Sequence, residues 1–116
     1  MALDINREAI LENFMDDEEL LFESIDTFLT SAAARCSSLE GAVKARDAQK
    51  VMEEGHTIKG MVGYFTTGEP YEASKKLEFM GRNNDLAGVD EALADLKAKL
   101  DELVSYLTAW RNEGEG

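Results

Sequence analysis

The sequence contains few of the residues that build flexible linkers, disulfides or membrane spans. One proline and nine glycines among 116 residues are too few for a linker-rich or fibrous protein. The single cysteine, Cys36, cannot form an internal disulfide, and its position in an apolar helical stripe indicates a buried small side chain. No stretch approaches the roughly 18 uncharged residues of a membrane-spanning helix, and residues 1–5 show no basic region before an apolar run. We therefore expect a cytoplasmic protein.

Positive charge is also scarce in this chain. It has 12 Lys and Arg residues and 24 Asp and Glu residues, which gives a net charge of −12. Nucleic acids and anionic membranes are bound through clustered cations, so we expect neither as a partner. With 44% hydrophobic residues, the chain can bury a core as one domain, assigned to 1–112 with a polar tail at 113–116. Met1 and the polar end favour a free-standing protein, which we expect to be a monomer.

A short opening helix and one long helix are predicted for the first 45 residues. Asp16 can cap the long helix, predicted over 16–45, and Glu19 three residues later completes a variant of the capping box. The apolar residues of this helix recur every three or four positions, as on one face of an α-helix. They are Leu21, Ile25, Phe28, Ala32, Cys36, Leu39 and Val43.

Three further helices are predicted after the long one. Asp47 is the expected N-cap of the next helix, Pro70 suits the first turn of the third, and Asp85 is the expected cap of the last. Because no segment alternates with a period of two, strands are not expected. Short loops join antiparallel neighbours, so the sequence predicts an all-α, up-down-up-down four-helix bundle with a short extra N-terminal helix. The three apolar stripes are Val51, Ile58, Val62 and Phe65; Ala73, Leu77 and Met80; and Val89, Leu93, Leu96, Leu100, Leu103, Leu107 and Trp110.

The only histidine, His56, lies in the second of the long helices. Lys59, Gly60 and Gly63 share its helical face, and the apolar stripe of that helix centres on the opposite side. The face is therefore expected to be exposed. Glycine inside a helix costs about 0.5–1 kcal/mol relative to alanine, so some gain must offset the two glycines. Room for a docking partner beside the imidazole is one such gain.

This pattern resembles the histidine-containing phosphotransfer (HPt) domain of two-component relays. The motif of that family is a His, a Lys three residues on and a Gly directly after it, here His56, Lys59 and Gly60. A Leu-Glu pair in a later helix, an acidic start to the long helix and a Phe-Leu pair near its middle extend the resemblance over nearly the whole chain. These residues are Leu77 and Glu78; Asp16, Asp17, Glu18 and Glu19; and Phe28 and Leu29.

The resemblance implies that His56 accepts a phosphoryl group from a receiver-domain aspartate, or from a hybrid sensor histidine kinase, and passes it to another receiver. Lys59 would stabilise the phosphate through a charge-assisted contact. Met52, one turn before His56 on the same face, joins Gly60 and Gly63 as a candidate for docking the receiver domain of a response regulator. No cofactor is expected in this chain, because the magnesium ion belongs to the partner receiver domain.

The chain has an acceptor for phosphate but no visible machinery for using ATP. A neutral imidazole is a competent nucleophile near pH 7, since its unperturbed pKa is about 6.5. The sequence contains no Walker-type loop, no glycine-rich nucleotide fingerprint and no basic cluster for ATP phosphates. We therefore expect a phosphoryl carrier and not an enzyme.

Other interpretations of the same residues stay open at this point. A helical adaptor could bind a receiver domain without accepting phosphate, and it would tolerate His56→Gln. Lys59 could be an ordinary solvated cation, and Met52 an ordinary surface methionine. A zinc site lacks ligands, because the one His and the one Cys fall in different helices.

Overall fold

A computed structural model describes residues 3–114 of the chain, and all regular structure in that range is helical. The helices are α1 Arg7–Asn13, α2 Glu18–Lys44, α3 Ala48–Gly63, α4 Glu69–Arg82 and α5 Val89–Gly114. The last four form a four-helix bundle in which α3 packs on α2 and α4, and α5 packs on α4 and α2. Spatial order around the bundle therefore follows chain order, and the predicted all-α bundle with a short N-terminal helix is confirmed. No helix in this range is long and apolar enough to cross a membrane.

Aspartate side chains start two of the long helices. Asp47 caps α3 as predicted, accepting a hydrogen bond from the backbone nitrogen of Lys50 at 3.1 Å. The cap of α2 is Asp17, whose side chain accepts from Leu20 at 3.1 Å, so the prediction of Asp16 was wrong. Asp16 has a φ of 57° and belongs to the turn before the helix, which moves the cap one residue along the chain.

The last helix also begins later than predicted. α5 starts at Val89, whereas Asp85 lies in the preceding connection and accepts from the backbone nitrogen of Ala87 at 3.4 Å. Gly88 has a φ of 79°, a left-handed conformation that interrupts a right-handed helix and that glycine adopts without strain. The helical pattern therefore cannot extend back to Asp85.

Most residues of the apolar stripes read from the sequence lie in the bundle core, but Met80 and Leu93 are only partly buried at its edge. Leu21, Ile25, Leu77, Leu96 and Leu107 are among its fully buried members. The residue at the edge of the stripe in α2, Cys36, is only half-buried. Burial raises the pKa of its thiol, which lowers the fraction of the reactive thiolate.

The short helix α1 packs over the end of the bundle where α5 finishes. Arg7 donates to the Tyr106 hydroxyl at 2.7 Å, pairs with Glu113 at 2.9 Å and stacks on Trp110 at 4.7 Å. Glu113 therefore belongs to α5 and to this contact, although the sequence placed it in a polar tail. Residues 115 and 116 of that tail lie outside the described residues.

Candidate functional site

Helices α3 and α4 approach each other closely because two glycines face the neighbouring backbone. A Cβ atom on Gly55 would lie 2.8 Å from the backbone nitrogen of Glu78, and one on Gly81 would lie 2.4 Å from that of Met52. Real Cβ atoms essentially never come within 3.0 Å of such atoms. Glycine at both positions therefore permits the contact that brings residues of the two helices into one site.

The centre of this site is the carboxylate of Glu78, whose side chain is only 3% exposed. Lys59 Nζ lies 2.7 Å from its Oε1 atom. His56 Nδ1 and Arg82 Nη2 both lie 2.8 Å from its Oε2 atom. A buried carboxylate is costly unless its oxygens accept hydrogen bonds from charged or polar donors. Here both oxygens do so.

These contacts keep Glu78 ionised. Burial raises the pKa of its carboxyl, but the hydrogen bonds and charges of Lys59 and His56 outweigh burial, and the net pKa lies below the usual value for glutamate. An ionised carboxylate can only accept hydrogen bonds. The proton in the contact with His56 therefore belongs to the imidazole.

This contact fixes the tautomer of His56. Because Nδ1 donates to Glu78, the neutral ring has its lone pair on Nε2. The side chain of His56 is 68% exposed, as the helical spacing predicts. The exposed ring of His56 is therefore fixed through Nδ1 by Glu78, and its Nε2 atom has a lone pair that can act as a nucleophile.

Lys59 faces the same carboxylate and not open solvent. Its side chain is 23% exposed, so its stem packs against the protein while the ammonium group contacts Glu78. An ammonium group has three N–H donors, and the contact with Oε1 leaves others for a further acceptor. The interpretation of Lys59 as an ordinary solvated cation does not fit this geometry, and its contact with phosphate stays a prediction.

The three predicted docking residues have different surroundings. Apart from the backbone of its own helix and its chain neighbours, no atom lies within 4 Å of the place where a Cβ of Gly60 would be, so Gly60 is open surface. Gly63 is the last residue of α3 and not an interior one, and the Tyr71 ring lies 3.3 Å from the position of its Cβ. Met52 is half-buried, with its backbone against Gly81. Their roles in docking stay predictions, and Gly60 presents the most accessible surface of the three.

The sequence predicted no contact with His56 for Glu78, Arg82, Gly55 or Gly81, although Glu78 belongs to the Leu-Glu pair of the resemblance. A signal for Glu78 existed, because it shares a helical face with Ser74, Leu77 and Gly81, which are all buried. An acidic residue on a buried face requires cationic or hydrogen-bonding partners. Arg82, four residues further along α4, is at the spacing of such a partner.

Comparisons with known proteins identify the family of this chain. The model of the Hpt domain family matches residues 23–106, a span that includes His56, Lys59 and Glu78. The phosphorelay intermediate protein rdeA of Dictyostelium discoideum is 25% identical over 105 residues. That alignment covers 86% of this chain but 41% of rdeA, so the chain spans about two fifths of the length of rdeA.

A solved structure shows the same fold. The crystal structure of histidine-containing phosphotransfer protein B from Pseudomonas aeruginosa PAO1 superposes with a TM-score of 0.88 at 19% identity. The superposition covers 97% of this chain and 98% of that protein. With the family match over most of its length, the chain belongs to the Hpt domain family, the histidine phosphotransfer domains of phosphorelays.

Proposed function

We propose that this protein accepts a phosphoryl group on Nε2 of His56 from an aspartyl phosphate on a receiver domain and passes it to a second receiver. One observation supports this most strongly. An exposed imidazole is held through Nδ1 by a buried carboxylate, so that Nε2 is free to react. A hybrid sensor histidine kinase that contains such a receiver would be an equivalent donor.

The transfer step balances with the groups at this site. The lone pair of His56 Nε2 attacks phosphorus, and the bond from phosphorus to the aspartate oxygen breaks with its electron pair left on the carboxylate. The imidazole gains an N–P bond and a positive charge, and its Nδ1–H still donates to Glu78. The negative carboxylate at 2.8 Å stabilises that charge as it forms. The reverse step delivers the phosphoryl group to the next aspartate.

Two cations adjoin the imidazole and can offset the charge of the phosphoryl group. A bound phosphate brings about −1.5 to −2 charges near pH 7. The carboxylate of Glu78 contacts Lys59 and Arg82 as well as His56. Both cations therefore lie close to the imidazole ring. We assign phosphate stabilisation to Lys59, with Arg82 as a second contributor.

We further propose that the protein is a carrier without kinase activity, acts as a monomer and works in the cytosol. The absence of a nucleotide-binding loop from the sequence supports the first of these. The magnesium ion that assists phosphoryl transfer would come with the receiver domain, whose carboxylates suit that ion.

The central test mixes the protein with radiolabelled phosphorylated receiver domains. Label that is stable in base and labile in acid should appear on wild type and be absent from His56→Gln, with an unchanged helical circular dichroism spectrum. Binding of a receiver by His56→Gln should persist. A wild-type chain that binds a receiver but never takes label would instead be an adaptor.

A further inference from the structure

The outward face of α4 contains an exposed aromatic side chain. Phe79 follows Glu78 directly and is 59% exposed. The sequence assigned the apolar contact near His56 to Met52, which the structure half-buries between α3 and α4. Phe79 therefore supplies the large apolar surface on this side of the site. A phenylalanine on the polar face of an amphipathic helix adds nothing to the core.

Three cationic residues lie within about one helical turn of Phe79 along α4. Lys75 and Arg82 lie four residues before and three residues after Phe79, so the three side chains share one face of α4. Lys76 lies three residues before Phe79. Neither Lys75 nor Lys76 forms an ion pair with any residue between 3 and 114. We call Lys75, Lys76, Phe79 and Arg82 the α4 patch.

The positive charge of the α4 patch contrasts with the rest of the chain. The protein has a net charge of −12, yet three cations occupy two turns of one helix. The two exposed acids of α4, Glu69 and Glu72, lie in its first turn, and Glu69 is paired with Lys99 of α5. A patch of this kind attracts an acidic partner and is repelled by a second copy of itself.

The α4 patch is continuous with the phosphotransfer site. Arg82 belongs to both, because its guanidinium group contacts the carboxylate that holds His56. A molecule that approaches Nε2 of His56 from the side of α4 must therefore pass over the patch. The surface that approaches has to contain the aspartyl phosphate and the carboxylates that bind magnesium, so it is acidic.

We propose that the α4 patch is a docking surface for the receiver domain, with Phe79 as its apolar anchor and Lys75 and Lys76 as its electrostatic guide. This inference rests on the proposed function and names the surface through which that function is performed. Buried aromatic residues contribute most of the affinity in many interfaces, and cations at the rim mainly raise the association rate. The two parts of the patch should therefore affect different steps of binding.

The test compares four variants with wild type. Phe79→Ser removes the anchor, Phe79→Leu keeps an apolar side chain, and Lys75→Glu reverses one charge of the patch. Lys97→Glu is the matched control: it makes the same charge change on α5, where Lys97 pairs with Glu40 of α2 on the opposite side of the bundle. The probe is the phosphorylated receiver domain that labels wild type fastest, and thermal melting checks that each variant is folded.

We expect Phe79→Ser to weaken the affinity for that receiver by about tenfold, mainly through faster dissociation. Phe79→Leu should weaken the affinity much less. Lys75→Glu should slow association by roughly tenfold at low salt, and the difference should shrink as salt is added. The association rate of Lys97→Glu should stay within about twofold of that of wild type. At saturating receiver, the maximal transfer rate of Phe79→Ser should equal that of wild type.

Three results would overturn the α4 patch as a receiver surface. These are unchanged association in both Phe79→Ser and Lys75→Glu, an equal loss in Lys97→Glu, or a dimer of wild type that Phe79→Ser dissolves in light scattering. A failure of the proposed function is distinguishable from all three. In that case wild type would take no label on His56 from any receiver or from the small phosphoryl donor phosphoramidate.

Discussion

The Nδ1 atom of His56 lies 2.8 Å from the Oε2 atom of Glu78, although 22 residues separate the two along the chain. Arg82 contacts the same oxygen and Lys59 the other one. One buried carboxylate therefore orients the nucleophile and holds both neighbouring cations. A change at Glu78 should affect orientation, charge and stability together.

Replacing Glu78 by glutamine tests the charge of this contact separately from its geometry. The amide oxygen of Glu78→Gln can still accept from His56, but the countercharge for the phosphorylated ring is lost. A charge-assisted hydrogen bond exceeds a neutral one by about 1–1.5 kcal/mol, so we expect roughly tenfold slower transfer. Glu78→Ala, which loses the hydrogen bond too, should be slower still. Single-turnover kinetics give both rates, and a wild-type rate in Glu78→Gln would contradict the proposed charge stabilisation.

The stability of the protein should depend on acid through Glu78. The pKa of its carboxyl is lower in the folded protein than the value of about 4.3 expected for an unfolded chain. The contribution of ionised Glu78 to folding stability is therefore fully present above the unfolded pKa. It is lost as the pH falls through the pKa of the folded protein. The difference in unfolding free energy between wild type and Glu78→Gln, measured by urea denaturation, should narrow below about pH 4. A difference that is constant from pH 7 to pH 3 would show that Glu78 does not titrate in this way.

Lys59→Ala should reduce both transfer and stability. The variant leaves the buried Glu78 with fewer donors, at a cost of about 1–2 kcal/mol in unfolding free energy. Lys99→Ala is a matched control, because Lys99 has a similar exposure of 24% but pairs with the exposed Glu69. Lys99→Ala should lose about 0–1 kcal/mol of unfolding free energy and transfer the phosphoryl group at the wild-type rate. Equal losses in the two variants would mean that burial of the partner carboxylate has no special effect.

Two glycines of α3 should respond to alanine in opposite directions. Gly55→Ala places a methyl group against the backbone of Glu78 and should destabilise the fold by about 1–3 kcal/mol while slowing transfer. The new methyl group of Gly60→Ala meets no atom beyond its own helical backbone and chain neighbours within 4 Å, so the variant should stabilise the helix by about 0.5–1 kcal/mol. Thermal or urea denaturation measures both. Stabilisation by Gly55→Ala would contradict the close contact between α3 and α4, and destabilisation by Gly60→Ala would contradict the open surface at Gly60.

The sequence by itself determined the helices, the composition of the core and the outward direction of His56. These features follow from short-range rules. Apolar residues every three or four positions define a buried face, and a residue opposite that face points to solvent. Asp47 starts α3 as predicted because a cap needs only its own first turn. The resemblance to the family also rests on short patterns, namely the motif of His56, Lys59 and Gly60 together with the Leu-Glu pair and the acidic start of the long helix.

Only the tertiary structure decided what surrounds His56. The contact with Glu78 requires α3 and α4 to meet at one distance and one register, which Gly55 and Gly81 permit by having no side chain. Interhelical register is the sum of many packing contacts between distant residues, and no local pattern specifies it. The same packing half-buries Met52 and leaves Phe79 exposed. Helical periodicity gives the face on which a residue lies, and packing between helices decides what that face meets.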